Sequence, residues 1–124
     1  MQMTWNDFHE VRFYIGSREK YAGPEFTRKE VTTFIGQFQS ERSEDMMPVR
    51  VTPTSYVCED YQEDGWELAV IGYPRTNKPK NIINRFVLDL AEAMLYHFKQ
   101  NRISVIFPDE IVMLQNESAV EKHR

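Results

Sequence analysis

The chain has 124 residues, of which 41% are hydrophobic and 27% are charged, and its formal net charge is −4. This length predicts one domain that can bury a hydrophobic core without stabilisation by disulfides or metal ions. The single cysteine excludes an internal disulfide framework. The negative charge argues against general nucleic-acid affinity, which needs a basic surface. Because neither a signal-peptide pattern nor an apolar run of about 20 residues occurs, we expect a cytoplasmic protein without a membrane partner.

The first part of the chain predicts a strand, a loop and a helix. Alternation of Val11, Phe13 and Ile15 with polar residues predicts a half-buried strand over residues 10–16. The loop after it ends at residues 27–30 (TRKE), a capping box that predicts the start of a helix. Apolar residues at helical spacing follow the box and predict one buried face.

The second part predicts a hairpin, a second helix and two short strands. Pro53 places the first hairpin strand at a sheet edge, because proline cannot donate to a central ladder. The Asp64-Gly65 dipeptide predicts the hairpin turn, and residues 66–73, apolar on both faces, predict a central strand. Apolar spacing predicts a helix over about residues 79–101, with the two short strands after it.

The resulting order, β-α-β-β-α-β(β), predicts an α+β fold of the ferredoxin-like type, an antiparallel sheet with two helices on one face. Right-handed crossovers place the first and third strands in the centre of the sheet. We expect a lead over residues 1–9, a single α+β domain over residues 10–114 and a polar tail over residues 115–124.

No motif in the sequence specifies a reaction. His9, His97 and His123 lack the spacing of metal ligands, and Cys58 has no histidine near it in the chain. The phosphate-loop, dinucleotide-binding and nucleophile-elbow patterns are also missing. We therefore predict no catalytic residue, no metal site and no cofactor, and a binding protein rather than an enzyme.

Basic and aromatic side chains gather in the two loops that precede the helices. Helix N-termini repel cations and bind anions through free backbone N–H groups, so these loops predict a site for a small anionic, nucleotide-like ligand. The candidate ligand-binding residues are Arg18, Lys20, Tyr21, Arg28, Tyr73, Arg75, Asn77 and Lys78. The alternative is that these cations neutralise nearby carboxylates. The predicted topology also separates the two loops, so a composite site would need another subunit.

Alternation predicts an apolar and aromatic sheet face opposite the helices. This face carries Arg12, Tyr14, Ala69, Ile71, Tyr73 and Ile106. Such a face is usually covered, and we expect a homo-oligomer formed through it. The alternative cover is the lead or the tail of the same chain.

The segments FYIGSREKYAGPEFTRKEV and GYPRTNKPKN, together with the size and the layout, resemble small phage-encoded α+β proteins. Among these, the chain is similar to immune-signal sponges of the Thoeris anti-defence kind. The resemblance implies an oligomer that binds cyclic ADP-ribose-type messengers without cleaving them, and it assigns no role to individual residues.

Three functional hypotheses follow. The first is a non-enzymatic oligomeric protein that sequesters a small phosphorylated ligand, such as a cyclic nucleotide-type immune messenger. The second is a protein–protein interaction module, such as a phage inhibitor of a host protein, that uses the open sheet face. The third is a small cofactor-free ferredoxin-like enzyme, for which Tyr96 and His97 are the candidate residues in a pocket between the helices and the sheet.

Overall fold

The computed structural model describes residues 1–19 and 22–117, and within them it confirms the predicted α+β fold. The five strands form one antiparallel sheet in the order β2-β3-β1-β4-β5, in which β5 extends the four-stranded ferredoxin-like arrangement. The elements are β1 (Glu10–Gly16), α1 (Arg28–Glu41), β2 (Arg50–Cys58), β3 (Tyr61–Ile71), α2 (Lys80–His97), β4 (Arg102–Ile106) and β5 (Ile111–Gln115).

Helix α1 begins at the predicted capping box. The Thr27 hydroxyl oxygen accepts a hydrogen bond from the Glu30 backbone N–H at 3.2 Å, and the Glu30 carboxylate accepts one from the Thr27 backbone N–H at 3.4 Å. These two bonds satisfy donors that have no partner inside the helix. The helix then buries Val31 and Ile35.

The hairpin between β2 and β3 turns earlier than predicted. Cys58 pairs with Tyr61, so Glu59 and Asp60 form a two-residue loop, and Glu59 has a positive φ of 55°. The predicted turn at residues 64–65 therefore lies inside β3. The position of Pro53 agrees with the sequence prediction, since β2 is an edge strand of the sheet.

Both helices pack against one face of the sheet and leave the other face without a helical cover. The hydrophobic core lies between the helices and the sheet. Alternate residues of β1 point into it, and most of the helical side chains in it come from α2. Burial of these apolar surfaces supplies the main stabilisation of the fold. Neither helix in the described part of the chain is long and apolar enough to span a membrane. The largest fully buried side chains include Phe13, Ile15, Leu68, Ile83, Phe86, Leu90, Met94 and Phe98.

We expect Leu90→Ala to lower the free energy of unfolding by about 3 kcal/mol, because it removes a fully buried side chain and leaves a cavity. Tyr96→Ala, at a site on the same helix that is 54% exposed, should change it by less than about 0.5 kcal/mol. Urea unfolding followed by circular dichroism measures both. Equal losses in the two variants would contradict this description of the core.

Candidate functional site

The first predicted loop contains a cation that the protein already neutralises. Arg18 forms an ion pair with Glu25 at 3.0 Å and donates to the Gly23 carbonyl oxygen at 3.3 Å. Arg28 is exposed at the first position of α1. Lys20 and Tyr21 lie outside the described residues.

The second predicted loop borders an open groove of about 770 Å³ that also touches Thr4 in the lead. Tyr73 and Arg75 line this groove together. Asn77 has a φ of 46°, and the Lys78 ammonium donates to the Glu44 carbonyl oxygen at 3.1 Å. The structure therefore brings Tyr73 and Arg75 to one surface.

The two loops lie at opposite ends of the sheet. In the antiparallel pairing of β1 and β3, Gly16 faces Gly65 and Glu10 faces Ile71. The first loop follows Gly16, whereas the second follows Ile71. One chain therefore does not join the eight predicted residues into a single site, and their ligand-binding role stays a prediction.

A smaller recess of about 250 Å³ lies on the open face of the sheet. Its side chains come from all five strands, because alternate residues of paired strands share a face. The recess is lined by the side chains of Arg12, Tyr14, Tyr56, Glu67, Arg102, Ser104, Ile106 and Met113, and it also borders Phe13, whose side chain lies in the core.

Two tyrosines form the aromatic side of this recess. The rings of Tyr14 and Tyr56 meet edge to face, with their centroids 4.6 Å apart. Gly65 makes room for Tyr14, since a Cβ atom at this glycine would lie 2.6 Å from the tyrosine oxygen. The Tyr14 hydroxyl donates to the Glu63 carbonyl oxygen at 3.4 Å. Burial raises the pKa of Tyr14 well above its ordinary value, so this hydroxyl stays protonated and acts as a donor.

Two side chains of opposite charge in the recess lack a charged partner. Within residues 1–19 and 22–117, the partly buried carboxylate of Glu67 makes no hydrogen bond or ion pair. Arg102 bonds to a neutral group: with the Gln115 amide turned so that its oxygen faces the guanidinium, that oxygen accepts from two Arg102 nitrogens at 3.1 Å each. Arg12, by contrast, is 3.5 Å from the Glu10 carboxylate.

Glu63 lies next to the recess on the same face. Its side chain covers Gly16, where a Cβ atom would clash with the carboxylate. Burial raises the pKa of Glu63, and a hydrogen bond from Tyr61 at 3.3 Å opposes this shift only in part. Perturbed titratable groups that lie together in a concave surface are typical of functional sites.

The recess is a better candidate site than the larger groove. Among the side chains that line the groove, Arg75 is the one that carries a full charge. The recess combines the Glu67 carboxylate, the Arg102 guanidinium and a tyrosine pair. This set suits a ligand that has a flat ring, a cationic centre and a carboxylate. Within the described residues, no group of three or more His, Cys, Asp and Glu side chains could hold a metal ion.

Sequence reasoning placed Arg12, Tyr14 and Ile106 on this face but missed Tyr56, Glu67 and Arg102. Alternation within one strand assigns a face, whereas it does not show which strands are neighbours. The missing information is the register, in which Tyr14 pairs with Glu67. Tyr96 and His97, the earlier enzyme candidates, are exposed on α2, where the His97 ring stacks on Phe34.

No family profile matches the sequence, and no curated protein matches it either. Two solved structures share its fold. A phage SAM lyase in complex with S-methyl-5'-thioadenosine matches with a TM-score of 0.70 and 14% identity over 94% of this chain and 96% of that chain. A phage SAM lyase in the apo state matches with a TM-score of 0.66 and 15% identity over 88% of this chain and 90% of that chain.

These neighbours contradict the predicted non-enzymatic sequestering function, because both are lyases and therefore enzymes. The third hypothesis, a small ferredoxin-like enzyme, fits them better. The resemblance to phage α+β proteins is supported, since both neighbours are phage proteins, although they are not immune-signal sponges. The prediction from the basic loops did not include the open sheet face, where Glu67 and Arg102 lie.

We expect the stability of the protein to fall as pH rises from the ordinary glutamate pKa of 4.5 through the raised pKa of Glu63. The folded state binds this proton more tightly than the unfolded chain does, so the contribution is fully present at low pH and is lost as the carboxyl ionises. Glu63→Gln should remove this fall, as measured by urea midpoints between about pH 4 and about pH 7.

Asp64→Asn is the control for this measurement. Hydrogen bonds from Ser55 and Gln62 lower the pKa of Asp64, so its contribution is lost as pH falls. A pH profile that Glu63→Gln leaves unchanged would show that Glu63 titrates alike in the folded and unfolded states.

Proposed function

We propose that this protein is an enzyme that cleaves S-adenosylmethionine (SAM) without water and releases S-methyl-5'-thioadenosine, using the recess on the open sheet face. One observation carries the proposal. The recess places the unpaired Glu67 carboxylate beside the Tyr14–Tyr56 pair, on a fold shared with phage SAM lyases.

The chemistry of the recess matches the parts of this substrate. Tyrosine faces attract both an adenine ring and a sulfonium cation, through stacking and cation–π interactions. The Glu67 carboxylate can accept hydrogen bonds from the two ribose hydroxyls, and its charge attracts the sulfonium. The proposed ligand is therefore a cationic nucleoside and not the anionic nucleotide expected from the basic loops.

The reaction balances within one substrate molecule. The bond between the sulfonium sulfur and the amino-acid side chain breaks, and its electron pair stays on sulfur, which becomes a neutral thioether. The carbon that loses sulfur either forms a bond to the substrate's own carboxylate oxygen, which gives a lactone, or becomes part of an alkene when the neighbouring carbon gives up a proton, which passes to solvent water. Neither route requires an oxidant, a reductant or a cofactor, and the mass of the co-product distinguishes them.

We also propose that the protein is phage-encoded and acts in the cytoplasm. Both structural neighbours are phage proteins. Cleavage of the host's SAM would be an anti-defence activity, as is the sequestration implied by the sequence resemblance. The difference is that cleavage destroys its target molecule, whereas sequestration only binds it.

A homo-oligomer through the open sheet face completes the proposal. The recess, about 250 Å³, is smaller than the roughly 300–1,000 Å³ of most small-molecule sites. Exposed apolar side chains stand at its border and beside it: Tyr56, Ile111 and Met113 are each more than half exposed. A second copy seated on this face would deepen the recess and cover these side chains.

We expect Glu67→Gln to lower kcat/KM for SAM by about 10- to 100-fold, because it weakens charge-assisted hydrogen bonds and removes the charge that attracts the sulfonium. Chromatography of the released S-methyl-5'-thioadenosine measures the rate. The matched control is Glu92→Gln, an exposed position on α2 behind the opposite face of the sheet, which should keep the wild-type rate. Wild-type protein that leaves SAM intact would refute the proposal.

We expect Met113→Asp to shift the protein towards the monomer and to lower kcat/KM for SAM at the same time, because it places a charge on the proposed contact face. Sedimentation velocity measures the association state. Tyr96→Asp, on the far side of the helix layer, is the control. An active wild-type monomer would separate the enzymatic function from the proposed assembly.

A further inference from the structure

One charge in the recess has no role in the proposed function. Arg102 is partly buried at the start of β4, with its guanidinium in the lining of the recess. Its hydrogen-bond partner is the Gln115 amide oxygen, which accepts from Nε and from one terminal nitrogen at 3.1 Å. An amide carries no net charge, so the bond fixes the guanidinium in place without neutralising it. Within the described part of the chain, no carboxylate forms an ion pair with Arg102.

The remaining donors of Arg102 suit a planar anion. An arginine guanidinium presents its N–H groups as a rigid fork that matches a carboxylate with two parallel hydrogen bonds. One edge of the Arg102 fork is occupied by Gln115, and the other terminal nitrogen stays available. A partly buried cation that is held in position in this way is arranged to meet a carboxylate on a ligand.

Arg12 is less suited to this task, although it lines the same recess. The Glu10 carboxylate lies 3.5 Å from Arg12 and also pairs with Arg50 at 2.6 Å. The charge of Arg12 is therefore partly compensated inside the protein, whereas that of Arg102 is not.

We propose that Arg102 binds the α-carboxylate of SAM and thereby distinguishes the substrate from the nucleoside product. This inference rests on the proposed function. SAM carries an amino-acid carboxylate, and S-methyl-5'-thioadenosine does not. Arg102 contributes to binding before the carbon–sulfur bond breaks and makes no contact with the nucleoside afterwards, so it promotes substrate capture without slowing the release of that product.

The competing explanation is structural. Arg102 and Gln115 are directly paired across β4 and β5, so their hydrogen bonds also join these strands at one end. If Arg102 only joined the two strands, its removal would disturb the recess as a whole and would weaken the binding of every ligand to a similar extent. The two explanations therefore differ in their effect on ligand selectivity.

Calorimetric titration of two matched probes separates these explanations. The probes are S-adenosylhomocysteine, which has the carboxylate and resists this cleavage, and S-methyl-5'-thioadenosine, which has the same thioether nucleoside without it. We expect Arg102→Met to weaken binding of the first by about 10- to 100-fold and of the second by less than about 3-fold. Arg102→Lys should restore part of the lost affinity, and KM for SAM should rise with Arg102→Met more than kcat falls.

Two further variants serve as controls. Gln115→Ala removes the fastening bond but keeps the guanidinium, so it should preserve the preference for S-adenosylhomocysteine. Arg85→Met removes an arginine that is paired with Asp89 on α2, behind the opposite face of the sheet, and it should change neither affinity. If Arg102→Met does not fold, as judged by circular dichroism, Arg102→Lys and Gln115→Ala carry the comparison.

Each outcome has a defined meaning. Equal losses for the two probes, or an unchanged affinity for S-adenosylhomocysteine, would overturn the role of Arg102 and leave the proposed function intact if the wild-type protein still cleaves SAM. Wild-type protein that binds neither probe and does not cleave SAM would overturn the proposed function and the inference together.

Discussion

The pairing register of β1 with β3 determines what each face of the sheet carries. Phe13 lies opposite Leu68 on the core side, and Tyr14 lies opposite Glu67 on the open side. Because side chains alternate along a strand, a slip of one residue would turn over the strand that slips and place its polar side chain, Tyr14 or Glu67, under the helices. The burial of the apolar set against α2 holds the register, and the same register assembles the recess.

The sequence predicted those features of the fold that depend on neighbouring residues. The capping box at residues 27–30 and the edge position of Pro53 are local effects of hydrogen bonding, and both were recognised. The Asp64-Gly65 turn was predicted on the same local grounds and was wrong. Its glycine is needed in the middle of β3, where it leaves room for the Tyr14 ring from another strand. A rule for turns uses only neighbouring residues, so it cannot detect a glycine that is required by a residue far away in the sequence.

For the same reason, the sequence could predict only part of the recess. Alternation within β1 identified the face of Arg12 and Tyr14, but the partners of these residues come from segments far away in the chain. The basic loops attracted attention because their charges are adjacent in sequence. In the fold, Arg18 already has a carboxylate partner, while Glu67 has none among the described residues. Which charges lack a partner depends on three-dimensional packing, and the clustering of charged residues along the sequence is a poor guide to it.

Tyr56 belongs to β2, which is an edge strand of the described sheet and pairs there with β3. Strands at the margin of a sheet open more readily than those in its centre. The aromatic side of the recess therefore joins an edge strand, which carries Tyr56, to an interior strand, since Tyr14 and Glu67 project from strands that are held on both sides. Under the proposed function, a flat ring bound in the recess would therefore meet one tyrosine from an interior strand and one from an edge strand.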